Sequence, residues 1–239
     1  KLYSMNTPHD TDKSSERLNK FLARQLGISR READVLIENE TVTINNTLAT
    51  LGARITPSDS INVAGAPVSH KPAALRYIAL NKPVGYVCSR RAQGSTPTIY
   101  SLLPPEFHAL KPVGRLDKDS SGLLLLTNDG DFAYRMTHPK FAKTKQYRVR
   151  LDRDLEPLHQ QMISDFGIEL DDGRSQLVLT RLNDNRREWH ITMSEGRNRQ
   201  IRCTFAALGY IVTRLHRTNF GNYALCDINR GEWRKVNIS

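Results

Sequence analysis

The sequence predicts an α+β protein in two parts, a small N-terminal module followed by a larger domain around a mixed, largely antiparallel β-sheet. The length of 239 residues exceeds one average domain, so two hydrophobic cores are expected. Amphipathic helical patterns lie close together near the N-terminus, whereas β-branched and aliphatic runs dominate beyond residue 76, with few helical segments between them. Strand runs without regular helix alternation argue against a doubly wound sheet.

The N-terminal module begins after a polar leader. Residues 1–13 show no apolar periodicity and are predicted to be flexible and outside the fold. Ser14 or Ser15 is a candidate cap for a first helix, whose apolar positions recur about every 3.6 residues. Ser29 is a candidate cap for a second helix, and Glu32, three residues later, would complete a capping box.

Short β-branched runs follow the two helices. Asn45 and Asn46 separate the first two runs and tolerate left-handed backbone, so they predict a hairpin turn. A further strand is predicted at 60–63. A proline among small and polar residues then predicts a linker, so the module takes residues 14–72 and the larger domain residues 73–239.

The larger domain is predicted to consist mainly of strands. The strand runs are YIAL, LLLLT, QYRVRL, QLVLTRL, EWHITM and IVTRL. Helical segments are predicted at about 130–138, 155–165 and 198–208.

Charge and composition narrow the classes of function. The chain has 35 Lys and Arg against 25 Asp and Glu, a formal net charge of +10, which favours an anionic partner such as nucleic acid, although many basic proteins only carry solvated charge. Three widely spaced cysteines form neither a disulfide framework nor a metal clip, which fits a reducing cytoplasm. No apolar run is long enough to span a membrane, and no His spacing typical of zinc sites occurs, so neither a membrane anchor nor a metal is expected.

Basic residues cluster on the first helix and around the turn after it, namely Lys13, Arg17, Lys20, Arg24, Arg30 and Arg31. The first four recur every three or four residues and predict a basic stripe, which an ordinary solvated helix face would also explain. The run RLNKFLARQLGISRREADVLIE, with the strand pair after it, resembles the S4 (α-L) RNA-binding domain. This resemblance implies that the basic residues contact RNA phosphates. The turn, often Asn-Gly in that family, is Asn45-Asn46 here.

The most informative segment is GRLDKDSSGLLLLTNDG, residues 114–130. Gly114 permits unusual backbone dihedrals and the aliphatic run at 123–126 anchors a strand, so Asp117 between them is placed to be held rigidly at a cleft. An ordinary acidic turn would account for the same residues. The segment resembles the active-site motif of the RsuA-type pseudouridine synthases, which join an S4 domain to a catalytic domain. The resemblance implies isomerisation of uridine to pseudouridine without a cofactor, with Asp117 as the nucleophile.

Three further segments resemble motifs of the same family. In LNKPVG, the resemblance implies that Lys82 shapes the entrance of the site and contacts RNA, although a strand ending at a proline turn fits equally. In KQY, it implies that Tyr147 lies against the target base and accepts a proton, whereas a lone strand Tyr usually packs in a core. In EGRNRQIRCTFAALGY, it implies that Arg202 pairs with Asp117 and favours its ionised form. Relatives commonly have a second Arg where Cys203 stands, which leaves one RNA contact in doubt.

The reaction requires the target base to leave its stack, which costs a few kcal/mol and is easiest in a loop or bulge. The predicted catalytic set is Asp117, Tyr147, Arg202 and Arg115. Basic residues around the cleft are expected to bind RNA phosphates. Besides Lys82 and the basic residues of the S4 module, they are Arg115, Lys118, Arg197, Arg199, Arg214 and Arg217.

Two other functions are compatible with parts of the sequence. A non-enzymatic RNA-binding assembly factor would explain the charge, but not the full set of motifs. A magnesium-dependent nuclease using Asp117, Asp119, Asp129 and Asp131 would lose activity to a chelator, whereas a pseudouridine synthase would not.

The substrate is expected to be structured RNA, namely ribosomal RNA, with a tRNA as a further candidate. The GRLDKDS form and the Gly-Glu-Trp-Arg segment near the C-terminus look closest to RluF-like members, which act on a large-subunit rRNA hairpin. The family resemblance also suggests a monomer.

Overall fold

The computed structural model describes residues 15–71, 74–90 and 94–238. Contacts divide the chain into two compact units, residues 1–74 and 75–239. The predicted leader, residues 1–13, lies outside the described residues, and the predicted domain boundary after residue 72 falls in a gap between them.

The first unit contains two helices and short strands around a small apolar core. Its elements are β1 (Glu16–Arg17), α1 (Leu18–Gln25), α2 (Arg30–Glu38), β2 (Val42–Ile44), β3 (Thr47–Leu48), β4 (Arg54–Ile55), β5 (Ile61–Val63) and β6 (Ala66–Pro67). Four strands form a sheet in the order β3-β2-β5-β6, and β1 pairs with β4. The core includes Leu18, Phe21, Leu22, Ala33, Val42 and Ile61.

Two local predictions in this unit are confirmed. The Oγ of Ser29 accepts a hydrogen bond from the Glu32 amide (3.1 Å), and the Glu32 carboxylate accepts one from the Ser29 amide (2.6 Å), which is a complete capping box. Asn45 and Asn46 both have positive φ, 50° and 66°, as the predicted hairpin turn requires.

The predicted serine cap of α1 is wrong. The helix begins at Leu18, and its N-cap Arg17 makes no side-chain capping bond. Residues 16 and 17 are extended because they pair with β4. The Oγ of Ser15 accepts a hydrogen bond from Nε of Arg54 instead (3.0 Å).

The second unit is built on one large sheet. Its strands are β7 (Tyr77–Lys82), β8 (Lys111–Pro112), β9 (Ser121–Thr127), β10 (Lys145–Leu151), β11 (Ile168–Leu170), β12 (Gly173–Ser175), β13 (Val178–Arg181), β14 (Glu188–Met193), β15 (Val212–Phe220), β16 (Tyr223–Ala224) and β17 (Trp233–Lys235). Its α-helices are α3 (Gly130–Thr137), α4 (Pro157–Gln161), continued by a π-turn at Met162–Phe166, and α5 (Gln200–Ala206). Short 3₁₀ turns occur at Ile99–Leu102, Pro105–Phe107 and Pro139–Phe141.

The strand order in the large sheet is β13-β14-β10-β15-β9-β7-β17, with β8 beside β9 and β16 beside β15. The β15–β9 pair is parallel, and the other neighbours are antiparallel. The predicted α+β class with a mixed, largely antiparallel sheet is therefore confirmed.

Strand β9 is buried on both faces. Leu124 and Leu126 point into the larger core, while Leu123 and Leu125 pack on the other side with residues of α3. Burial on both sides explains why this strand reads as a continuous aliphatic run. The loop that carries Asp117 leads directly into this strand.

Gly122 allows β9 and β15 to approach closely. Its φ is +105°, and it lies opposite Arg217 in the parallel pair. A Cβ atom at this position would lie 2.2 Å from the Arg217 carbonyl oxygen, so a larger residue cannot fit without separating the two strands.

We expect Gly122→Ala to destabilise the second unit by about 3 kcal/mol or more, because it adds both backbone strain and a main-chain clash. Thermal unfolding should show a midpoint lowered by roughly 6–12 °C. Gly130→Ala is the matched control, because Gly130 opens α3 and a Cβ there would meet no atom within 4 Å. Equal unfolding midpoints for the two variants would contradict this account of the sheet.

Candidate active site

The segment that follows β7 forms hydrogen bonds with the loop that carries Asp117 and restrains that loop. The Gly85 amide donates to the Lys118 carbonyl (2.7 Å), and the Cys88 thiol donates to the Leu116 carbonyl (3.3 Å). Burial raises the pKa of the Cys88 thiol, which keeps it protonated as a donor. Gly114 has the positive φ, +69°, that the sequence predicted at the start of the loop.

Lys82 lies at the centre of this arrangement. Its side chain is fully buried, and Nζ donates to the carbonyl oxygens of Asp117 (2.9 Å), Ser120 (2.7 Å) and Pro83 (3.1 Å). Burial lowers the pKa of Lys82 to about 8, against the opposing effect of nearby groups that include the Asp117 carboxylate. The prediction that Lys82 contacts RNA is therefore wrong. Its ammonium group instead fixes the main chain of the Asp117 loop from the buried side.

A cleft of about 700 Å³ opens beside Asp117. The carboxylate is partly accessible, with 36% of its side-chain surface exposed. Apolar side chains of Met193, Ile201 and Leu215 line the cleft together with Tyr147. An accessible carboxylate next to apolar wall residues suits a planar, uncharged base.

Arg199, rather than Arg202, lies beside Asp117. Nη1 of Arg199 is 3.6 Å from Oδ2 of Asp117, whereas Nε of Arg202 is 3.3 Å from Oδ2 of Asp119. Arg202 lies within α5 and is further held by the carbonyls of Val212 (2.7 Å) and Asp119 (2.9 Å). The predicted pairing of Arg202 with Asp117 is thus corrected.

Asp119 joins the two arginines. Arg199 donates two hydrogen bonds to its carboxylate (3.1 and 3.0 Å), and Arg202 adds an ion pair. Partial burial alone would raise the pKa of Asp119, but its contacts with Arg199 and Arg202 outweigh burial and lower it. The Asp119 carboxylate is therefore ionised at neutral pH and holds Arg199 next to Asp117.

Sequence reasoning missed this bridging role of Asp119. Arg199 is the N-cap residue of α5, and Arg202 follows three residues later in the first turn of that helix. That spacing, combined with two carboxylates two residues apart in one loop, was the available signal. The signal does not say which arginine meets which carboxylate. That depends on Arg199 adopting left-handed backbone, with φ 50°.

Tyr147 lies in the wall of the cleft on β10. Its side chain is 7% exposed, and its neighbours across the sheet are Ile191 and Arg217. Within the described part of the chain, its hydroxyl makes no hydrogen bond. The hydroxyl is therefore available to a ligand in the cleft.

The other predicted RNA-binding residues of this unit have different environments. Arg115 is exposed at the cleft, and exposed Lys118 donates to the Thr96 hydroxyl (3.1 Å). Arg197 lines the cleft but is engaged with Asp172 (2.6 Å) and with nearby carbonyls. Arg115 and Arg197 therefore lie at the cleft, whereas Lys118 is not among its lining residues.

Arg217 and Arg214 depart from the prediction that they surround the cleft as phosphate contacts. Arg217 lines the cleft but is only 2% exposed, because Nε donates to the Leu123 carbonyl (2.8 Å) and the guanidinium lies over the Phe220 ring. Arg214 does not line the cleft, and its neighbour Leu215 does. Since successive strand residues point to opposite faces, Arg214 lies on the other side of the sheet.

In the first unit, the predicted basic stripe is shorter than expected. Arg17 precedes α1 and Lys13 lies outside the described residues, so Lys20 and Arg24 remain on the helix. Arg24 is paired with Glu16 (2.6 Å). The exposed Arg30 and Arg31 open α2, and Arg30 donates to the Asn19 side chain (2.9 Å).

The described residues contain no group of three or more His, Cys, Asp or Glu side chains that could hold a metal ion. Among the same residues, no helix has the length and apolar character needed to cross a membrane.

Comparison with known proteins points to the same family as the sequence motifs. A family model described as RNA pseudouridylate synthase matches residues 76–207, and the S4 domain model matches residues 16–61. The chain is 36% identical over 223 residues to ribosomal small subunit pseudouridine synthase A of Yersinia pestis, covering 92% of this chain and 94% of that protein. It is 34% identical over 235 residues to ribosomal large subunit pseudouridine synthase B of Salmonella typhimurium, covering 94% and 80%.

A solved structure described as a pseudouridylate synthase has 32% sequence identity and a TM-score of 0.66, covering 92% of this chain and 96% of that one. The family match covers more than half of the chain, and the similarity to the two named relatives extends over both units. The resemblance predicted from the motifs is confirmed. The chain belongs to the RNA pseudouridylate synthase family and is an RNA isomerase that carries an S4 domain.

Proposed function

We propose that this protein isomerises specific uridines of ribosomal RNA, with Asp117 as the nucleophile and with the target nucleotide turned out of its stack into the cleft. The observation that carries the proposal is the placement of Asp117. Its main chain is fixed by the buried Lys82, its carboxylate is open to the cleft, and Arg199 lies 3.6 Å away. A fixed, accessible carboxylate beside a cation is what a nucleophilic step requires.

The reaction balances without any external reagent. The N1–C1′ bond of uridine breaks, the uracil rotates, and a C5–C1′ bond forms. The proton at C5 leaves, and N1 ends with a proton. A carboxylate can begin this sequence by attacking the sugar, by attacking the base or by removing a sugar proton. All three routes need Asp117 ionised and close to the nucleotide.

Tyr147 is our proposed acceptor for the C5 proton, directly or through a water molecule. Its hydroxyl lies in the cleft wall without a protein partner among the described residues. Its ring adds an apolar surface against which the extruded uracil can pack.

Ribosomal RNA is the proposed substrate because the two relatives described above are named for the small and the large ribosomal subunit. Within that class we propose large-subunit rRNA, on the resemblance of the motifs to RluF-like members, with tRNA as a second possible substrate. The exposed arginines of the S4 domain and of the cleft rim would bind backbone phosphates.

Replacing Asp117 with Asn should lower the rate by about ten-thousandfold or more, because the amide is the same size but cannot act as a nucleophile. The measurement is tritium release from RNA labelled at C5 of uridine. Asp171→Asn, at an exposed position, is the matched control and should keep the wild-type rate. Undiminished release by Asp117→Asn would exclude the proposed chemistry. Addition of a chelator should change neither rate.

Tyr147→Phe should lower kcat by roughly 10²–10⁴-fold with little change in KM, because the ring remains in the cleft while the proton acceptor is lost. Tyr134→Phe on α3 removes the same hydroxyl from a side chain that is 45% exposed, and it should leave kcat intact. A normal kcat for Tyr147→Phe would assign the proton to another acceptor.

The substrate can be mapped by treating unmodified small-subunit rRNA, large-subunit rRNA and tRNA transcripts separately with the protein. We expect one new carbodiimide-dependent primer-extension stop, in large-subunit rRNA, that is absent with Asp117→Asn. A single stop in small-subunit rRNA would move the assignment to the other subunit. Stops at many uridines would contradict site-specific action.

A further inference from the structure

The large sheet has an open face opposite the cleft. On β10, Tyr147 and Val149 point into the core and the cleft, so Arg148 and Arg150 point to the other side, where both are exposed. On β15, Leu215 lines the cleft, so Arg214 and His216 also face away from it.

The strand register brings these basic side chains together. Arg150 lies directly opposite Arg214, and Arg148 lies opposite His216 on one side and His190 on the other. We call these five residues the basic sheet face. Paired strands are about 4.8 Å apart, and same-face neighbours along a strand are about 6.6 Å apart, so the five side chains form one continuous patch.

Intramolecular pairing compensates little of this charge. Among the described residues, the side chains of Arg148 and Arg214 make no hydrogen bond or ion pair. Arg150 is 3.9 Å from the carboxylate of Glu188, with 59% of its side chain exposed. Like charges placed directly across a strand pair destabilise a sheet, so the Arg150–Arg214 pair opposes folding as it stands.

The electrostatic environment of His216 reports the same excess of positive charge. Burial lowers the pKa of His216, and the charges of Arg214 and Arg148 lower it further. The Ser121 hydroxyl, 2.9 Å from Nδ1, is its side-chain neighbour from β9. Glu188, opposite Arg150 on β14, places one carboxylate on this face, whereas Gln146, Thr180 and Thr192 on the same face are uncharged.

Among the described residues of the second unit, no helix covers this half of the face. The apolar cluster formed with α3 lies over β7 and β9, on the other half of the same face. The basic residues therefore remain accessible although they belong to the centre of the sheet. Unpaired arginines on a rigid, open surface are a suitable arrangement for binding phosphates.

We propose that the basic sheet face binds the phosphate backbone of the substrate RNA at a point separate from the cleft. This inference rests on the proposed function only in taking RNA as the substrate. The S4 domain, the cleft rim and this face would then contact different stretches of one folded RNA. Backbone contacts of this kind carry no sequence information and serve to position the RNA.

The test compares RNA binding of Arg148→Gln/Arg150→Gln/Arg214→Gln with that of the parent, both carrying Asp117→Asn so that turnover does not interfere. The probe is an unmodified large-subunit rRNA transcript, and filter binding measures the dissociation constant from about 50 to 200 mM salt. We expect binding to weaken about tenfold or more at low salt. The slope of log K against log salt should decrease by about 2 to 3, because each lost phosphate contact removes roughly 0.7–0.9.

Arg230→Gln/Arg234→Gln/Lys235→Gln is the matched control, because it removes the same charge from the C-terminal edge of the sheet. Thermal unfolding checks that both triple variants are folded. An unchanged affinity and salt slope for the sheet-face variant would overturn the proposal, and so would an equal loss in the control, which would indicate a bulk-charge effect. Since the assay measures no chemistry, its failure is distinct from failure of the Asp117 test.

Discussion

The buried ammonium group of Lys82 is the interaction on which the active site depends. It replaces its water shell with three main-chain carbonyls, two of which belong to the loop of Asp117. Burial of an unpaired charge is costly, and these short charge-assisted hydrogen bonds offset that cost only if the loop keeps one conformation. The lysine and the loop therefore stabilise each other, and the carboxylate of Asp117, our proposed nucleophile, is positioned by a buried group.

Beside the Asp117 loop, carboxylates and guanidinium groups form ion pairs that orient one another. Asp119 holds Arg199 by two hydrogen bonds and Arg202 by an ion pair, and Arg199 in turn reaches Asp117. The separation between Arg199 and Asp117, 3.6 Å, is longer than a hydrogen bond, so the proposed nucleophile lies beside a positive charge without being engaged in a close hydrogen bond. An oxygen held by short hydrogen bonds would be a poorer nucleophile.

Local sequence patterns predicted much of this fold. The predictions that failed depend on contacts between residues that are distant in the sequence. The run EWHITM coincides with β14 because its alternation of buried and exposed residues is unbroken. The predicted start of α1 was wrong because Arg17 pairs with Arg54, and the sequence around Arg17 does not reveal that pairing. Local sequence does not reveal the burial of Lys82, because lysines are rarely buried and two of its acceptors, the carbonyls of Asp117 and Ser120, lie 35 and 38 residues further along the chain. Arg199 was not matched to Asp117 because its left-handed backbone cannot be read from composition.

Because β9 is buried on both faces, the protein and its RNA substrate do not adapt equally to each other on binding. The Asp117 loop leads into a central strand that is packed on both sides and paired on both edges. Moving that loop towards a substrate would require opening the middle of the sheet. At this loop, adjustment would come mainly from the RNA, and folded RNAs whose target nucleotide leaves its helix at low cost would be the preferred ligands.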